Sequence, residues 1–254
     1  IQKMTLTALN SNDGPVSQVM VPESGSEASA AKYIAKPRVN TRASWGCDES
    51  LRFYSNGQEI WGREYARWRV FVPHHTATSN DYYDPKPEVR SIYYYHAVTQ
   101  GWGDIGYHAL VGNNKEVYEG RKGADGKVLD YDLMAGHVLQ CNAGSFGMSF
   151  IGDFSYYYIP SGMLRAAQKV AAWVCAEREI NPIGTLSFER SDRSVYNGAA
   201  IAAHRNIQRP DLYPTACPGD TGYTQFPWFR SYVKAKLDGA PDKDTTPTPT
   251  PSTK

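Results

Sequence analysis

The 254-residue sequence predicts an α/β domain in which a mixed central β-sheet is flanked by helices. Three observations predict it. Short β-rich runs stop at turn residues, longer stretches carry apolar residues at helical spacing, and the two kinds alternate along the chain.

Arg67-Trp-Arg-Val-Phe-Val72 is β-rich and halts at Pro73-His74-His75-Thr76. Residues 87–100 suit a helix opened by Pro87 and closed at Gly101. Tyr107 to Val111 and Glu116 to Tyr118 flank Gly112-Asn113-Asn114, a hairpin signal, and Ser145 to Ile151 reads as another strand. Leu164, Ala167, Val170, Ala171, Val174 and Cys175 recur on one helical face, which predicts a helix over Ser161–Glu179. Ala199 to Ala203 reads as a small-residue strand running into His204, and Phe226 to Leu237 closes the domain as a helix.

These elements place one domain over residues 39–238. Residues 1–38, rich in Ser, Ala and Gly, read as an extension or linker. Residues 239–254 end in a Thr/Pro run that favours extended geometry and cannot bury a core. Such a spacer joins modules, so a further C-terminal module is expected after it. The opening Ile1-Gln2-Lys3-Met4 reads as the start of a mature or trimmed form.

Composition excludes two classes. With 27 basic and 26 acidic residues the formal charge is +1, and no Lys/Arg block forms a phosphate-binding stripe for nucleic acid. No apolar run approaches the ~18 residues that span a bilayer.

The four cysteines stand at 47, 141, 175 and 217, without a C-x-x-C pair. Cys175 lies in the helical pattern and reads as a small buried side chain. With Cys217 reserved for a metal, Cys47–Cys141 is the candidate disulfide. His74 follows a buried-looking strand, His204 ends another, and Cys217 sits in the Pro/Gly-framed turn Pro214-Thr-Ala-Cys-Pro-Gly219. A catalytic zinc takes three protein ligands and keeps one open position, and a thiolate favours zinc over magnesium. Taken singly, however, a strand-end histidine is more often structural than a ligand.

The ordered set of motifs changes that balance. Phe71-Val-Pro-His-His-Thr-Ala77, Gly103-Asp-Ile-Gly-Tyr-His108, Val117-Tyr-Glu-Gly-Arg121, Ala135-Gly-His137 with Asn142, Ser145-Phe-Gly147, and Ala203-His204 with Pro214–Gly219 follow one another. The sequence resembles the peptidoglycan recognition protein family, also called type-2 N-acetylmuramoyl-L-alanine amidases. The resemblance covers residues 39–238, opening at Thr41-Arg-Ala-Ser-Trp-Gly46.

The resemblance implies zinc held by His74, His204 and Cys217, with His75 left out of the set. It implies catalytic roles for Tyr107 and Thr215, and hydrolysis of the amide between N-acetylmuramic acid and L-alanine in peptidoglycan by a secreted or wall-located enzyme. His137, Asn142 and Arg121 are then candidates for binding substrate. Some relatives are catalytically dead receptors that lack the cysteine, so Cys217 favours an enzyme over a binding module. His108 reads as structural or as a support of the site. The stretch after Arg121 is longer than in many relatives, which leaves the stem-peptide type open.

Overall fold

The computed structural model describes residues 33–240. The Thr/Pro spacer and most of the N-terminal extension lie outside the described residues. In chain order the elements are α1 (Arg42–Trp45), β1 (Val70–His75), α2 (Pro85–Tyr94), β2 (Ala109–Val111), β3 (Val117–Glu119) and β4 (Ser145–Phe150). They continue with α3 (Ser161–Arg178), β5 (Thr185–Glu189), β6 (Val195–Ala199), α4 (His204–Ile207), α5 (Asp220–Tyr223) and α6 (Phe226–Leu237).

The central sheet runs β1-β4-β2-β3, parallel from β1 to β2 and antiparallel at β3, so it is mixed. In β4 the side chains alternate between its two faces. Phe146, Met148 and Phe150 join the core formed with α3 and α6, where Leu164, Ala167, Val170, Val174, Phe226 and Phe229 are buried. Ser145, Gly147 and Ser149 point to the other face, below the functional site.

The helix read as 87–100 begins at Pro85, because Asp84 accepts a hydrogen bond from the Lys86 N–H at 3.0 Å and Pro85 suits the first helical position. Its last turn widens into a π-helical segment at Tyr95–Thr99. The packed chain also starts earlier than residue 39. Ile34 and Val39 lie against the main core, and Lys36 donates to the Val128 carbonyl at 2.7 Å.

β1 runs three residues beyond Val72, where the β-rich run is expected to stop, through Pro73 to His75. Proline is tolerated there because β1 is an edge strand. The outer side carries one isolated bridge, Phe71 to Ile201, in which the Phe71 N–H donates to the Ala200 carbonyl and the Ala202 N–H to the Phe71 carbonyl, both at 3.0 Å. The next outward donor would be the missing N–H of Pro73. Pairing ends there, so the strand expected over 199–203 is reduced to this bridge. Ala200, Ala202 and Ala203, all buried, press close to β1 before the chain turns into α4 at His204. The β5–β6 hairpin forms a separate two-stranded sheet that the sequence reading missed.

Asp104 is fully buried and binds two buried arginines, Arg42 through Nη1 and Arg121 through Nη1, each at 2.8 Å. It also accepts from the Ile105 and Lys122 N–H groups. One carboxylate thereby ties the α1 segment, the loop before β2 and the chain after β3 together. We predict that Asp104→Asn, which leaves Arg121 buried without its counter-charge and leaves Arg42 with Glu49 alone, lowers stability by about 3–5 kcal/mol in urea unfolding.

The disulfide expected between Cys47 and Cys141 does not form; all four cysteines are free thiols. Cys47 packs beside Trp45 and Tyr93 and accepts from Arg42 Nη2 at 3.0 Å. Cys141 is buried in a different cluster with Val70 and Val72.

Candidate metal centre

His74, His204 and Cys217 converge. One ligand atom from each lies within 4.8 Å of the others. His74 Nδ1 is 3.1 Å from His204 Nδ1 and 3.7 Å from Cys217 Sγ. β1 brings His74, the first residue of α4 brings His204, and the 214–219 turn brings the thiol. The outward N–H of His75, which the 200–204 segment has left behind, donates to Cys217 Sγ at 3.4 Å. Gly219 closes the turn at φ +90°, pressed so close to the Phe154 carbonyl that a Cβ could not fit.

The surrounding hydrogen bonds assign the ring protons. His204 Nε2 lies 2.6 Å from Gln208 Oε1, while the Gln208 amide nitrogen donates to the Tyr213 carbonyl, so the His204 proton sits on Nε2. Ser145 Oγ donates to the Cys141 carbonyl at 2.5 Å and accepts from His137 Nε2 at 3.2 Å. His137 Nδ1 is then an acceptor, and His74 Nε2 donates to it at 3.0 Å. Both Nδ1 atoms then turn lone pairs toward each other, and the Cys217 thiol lies within hydrogen-bond reach of His74 Nδ1 at 3.7 Å. Without a positive charge between them such an arrangement is repulsive. Two imidazole nitrogens and a thiol form a donor set that suits zinc, so these residues could hold that ion.

Burial, which disfavours charge, keeps the His74 and His204 imidazoles neutral. Burial also pushes the Cys217 thiol up to about 12, against a smaller opposing contribution from the His75 N–H. Binding a metal there therefore releases a proton.

The other residues singled out from the sequence divide. The Tyr107 ring lies 5.4 Å from the His74 ring, and burial, reinforced by nearby Cys217, raises the pKa of its hydroxyl. Thr215 is half-buried and accepts the Cys217 N–H at 3.2 Å, which leaves its own hydroxyl proton free to donate. His137 supports His74 from behind; it abuts Gly147, where a Cβ would overlap its ring. Asn142 accepts the His137 and Val138 N–H groups, both at 2.9 Å, and so fixes the loop that carries His137. Arg121 is not at the site. It is buried on Asp104, donates to the Trp61 and Gly62 carbonyls and lies 3.9 Å from the Trp61 ring, and at 1% exposure it is out of a substrate's reach. His108 is buried between the Leu133 carbonyl at 2.6 Å and the Gly147 N–H at 2.9 Å, and holds the sheet under His137.

Beside the centre opens a groove of about 590 Å³. His137, Asn142, His204 and Gln208 line its polar side, and Tyr54, Ile60, Trp61, Trp102 and Leu139 its apolar side. Sequence reasoning missed Gln208, although its signal was present: it stands four residues after His204, one helical turn on. The apolar wall had no comparable pattern to betray it.

The family model for N-acetylmuramoyl-L-alanine amidase matches residues 64–220. The chain belongs to this family. Peptidoglycan-recognition protein SC1a of Drosophila melanogaster is 32% identical over 171 residues, which cover 63% of this chain and 76% of that protein. Human N-acetylmuramoyl-L-alanine amidase is 28% identical over 224 residues, covering 87% of this chain and 34% of the human one. Among solved structures, Drosophila PGRP-LB aligns with a TM-score of 0.51 at 20% identity, over 83% of this chain and 99% of that one. The amidase LysC of Clostridium intestinale aligns with the same score at 18% identity, over 80% and 99%. At these identities the structural likeness concerns the fold. Family membership gives the chain a peptidoglycan-directed role, hydrolytic or binding. No helix among the described residues is long and apolar enough to cross a membrane.

Gln208 and His137 orient the two imidazoles without reaching the central space themselves. Removing such support from a metal ligand typically weakens binding 10–100-fold. We predict that Gln208→Ala weakens zinc binding about tenfold or more in a chelator competition, while the melting temperature without metal stays close to the parent's.

Proposed function

We propose that the chain is a zinc-dependent N-acetylmuramoyl-L-alanine amidase. It acts in the extracellular space or cell wall and cleaves the amide bond between N-acetylmuramic acid and the stem peptide of bacterial peptidoglycan. The observation that carries this reading is the convergence of His74 Nδ1, His204 Nδ1 and Cys217 Sγ, with ring protons that the neighbouring hydrogen bonds assign to the outer nitrogens. Three protein donors leave a zinc ion one position for a reactant, the arrangement of catalytic rather than structural zinc. A zinc held there supplies Lewis acidity and makes hydroxide available near neutral pH.

The chain's own residues do the rest. With its pKa raised by burial, Tyr107 remains a phenol at neutral pH and keeps its proton to donate. Next to His74 and Cys217, it is suited to donate to the oxygen of the lactyl carbonyl as negative charge develops there. One well-aimed donor of this kind contributes about 3–4 kcal/mol to the transition state. Thr215, which accepts the Cys217 N–H, keeps its own hydroxyl proton to offer beside the thiol. The aromatic wall of Trp61, Trp102 and Tyr54 accommodates apolar faces of a sugar or peptide, and His137 and Asn142 form the floor.

Digestion of purified sacculi with product identification by mass spectrometry tests the reading. Release of free stem peptides is expected; binding to the wall without release identifies a receptor and ends the proposal. Cys217→Ser should abolish release and lower zinc content. Tyr107→Phe should reduce kcat about 10²–10³-fold, the loss expected for one oxyanion donor, with zinc content unchanged.

A further inference from the structure

A second concavity, of about 610 Å³, lies between residues 37–40, the turn after β2 and the first turns of α3. None of its lining residues belongs to the metal centre or to the groove beside it. Four cationic side chains line it: Arg38, Lys115, Arg165 and Lys169. Among the described residues the only acid in the lining is Glu116, and its carboxylate is already engaged by the side-chain amides of Asn40 and Asn114, both at 3.0 Å.

In a chain whose formal charge is +1, so strong a local excess is uneven. Arg38, Lys115 and Lys169 are exposed and take part in none of the ion pairs among the described residues. Three exposed cations, Arg38, Lys115 and Lys169, thus gather around one concavity without a partner acid among the described residues.

The cavity is also built rather than accidental. Arg165 is held from one side by aromatic rings, its guanidinium 4.0 Å from the Tyr232 ring centre and 4.9 Å from that of Trp228. Such stacking fixes the plane of the guanidinium at the cavity wall. The stem of Lys115 lies across Gly162, where a Cβ would approach Lys115 Cγ to 2.6 Å. Glycine at 162 therefore lets the lysine lie over the start of α3.

We infer that this cavity is a second binding site, for a phosphodiester-bearing polyanion. Its volume falls in the range of ligand pockets, and it offers several separate charges, which suits a chain of repeating phosphates. Lysines bind phosphate as point charges and an arginine fork binds two of its oxygens, so the set matches phosphodiester chemistry. Such a site would hold the protein on an anionic polymer while the groove on the metal side stays free. Phosphodiesters occur both in soluble polymers and in lipid headgroups; the occupant inferred here is the soluble polymer.

Isothermal titration of the full chain tests this without any hydrolysis, so its outcome is independent of the amidase reading. The titrants are poly(glycerol phosphate), poly-glutamate of matched charge, and vesicles of phosphatidylglycerol. Expected is binding of poly(glycerol phosphate) that weakens as salt rises, with poly-glutamate at least tenfold weaker. The double variant Lys115→Gln/Lys169→Gln should lose at least tenfold in affinity for poly(glycerol phosphate) at an unchanged melting temperature. Arg38→Gln, in the segment before α1, gives a second reading and should weaken binding in the same direction. Parent-like affinity in both variants overturns the site. Equal binding of poly-glutamate overturns the phosphate assignment, and binding to vesicles alone overturns the soluble polymer as occupant.

Discussion

Two nitrogen lone pairs facing each other at 3.1 Å inside a protein repel, and three hydrogen bonds made elsewhere hold them in that position. Gln208 fixes the proton of His204 on the far nitrogen, His137 does the same for His74, and Ser145 fixes His137 in turn. No link is dispensable to the geometry. If His137 carried its proton on Nδ1, His74 would lose its acceptor and could turn its own proton inward. The side chains that determine the chemistry of the centre are thus ones that never enter it. Gly147 belongs to the same chain of causes, because only the absence of a Cβ lets the His137 ring lie against β4.

The backbone prepares this arrangement through a missing hydrogen-bond donor. Pro73 cannot extend the pairing between β1 and the segment around Ile201, so that segment leaves the sheet after a single bridge. Its departure has two consequences. His204 falls at the first position of α4, beside His74, and the outward N–H of His75 is left for Cys217 Sγ to accept. On the other flank Asp104 anchors the chain on both sides of β2 and β3, and through Arg121 it reaches the Trp61 and Gly62 carbonyls at the edge of the aromatic wall. Arg121, which resemblance suggested as a substrate contact, acts on the groove only through that wall.

What the sequence made legible follows from how local each signal is. α3 and α6 carry enough apolar residues at helical spacing to be read directly, and the glycines and asparagines after β2 marked its hairpin. The metal-centre residues were legible because they sit in an ordered set of short motifs at element ends. The strand expected over 199–203 was not a strand, because its termination depends on a proline 128 positions away in the chain. In the β5–β6 hairpin, β5 does alternate, Thr185-Leu186-Ser187-Phe188-Glu189, a signal the reading overlooked, whereas β6, Val195-Tyr196-Asn197-Gly198-Ala199, carries no such pattern. The Cys47–Cys141 pairing failed for a related reason: elimination among four cysteines carries no information about which cluster each thiol packs in.

The position of the centre also bears on what a metal there would do for the fold. The hydrophobic core lies on the opposite face of the sheet, built from Phe71, Phe146, Phe229 and the buried face of α3. The polar tie at Asp104 joins segments other than those that supply His74, His204 and Cys217. These three side chains therefore hang from elements that have their own reasons to be folded. A structural zinc contributes the folding free energy of a chain that cannot bury enough surface, which is not the situation of a domain of this size with a continuous aromatic and aliphatic core. Here the fold holds the donors in a conformation that is unfavourable without a cation. A cation held at one end of β1 would relieve the repulsion, and with three protein donors it would keep one position for a reactant.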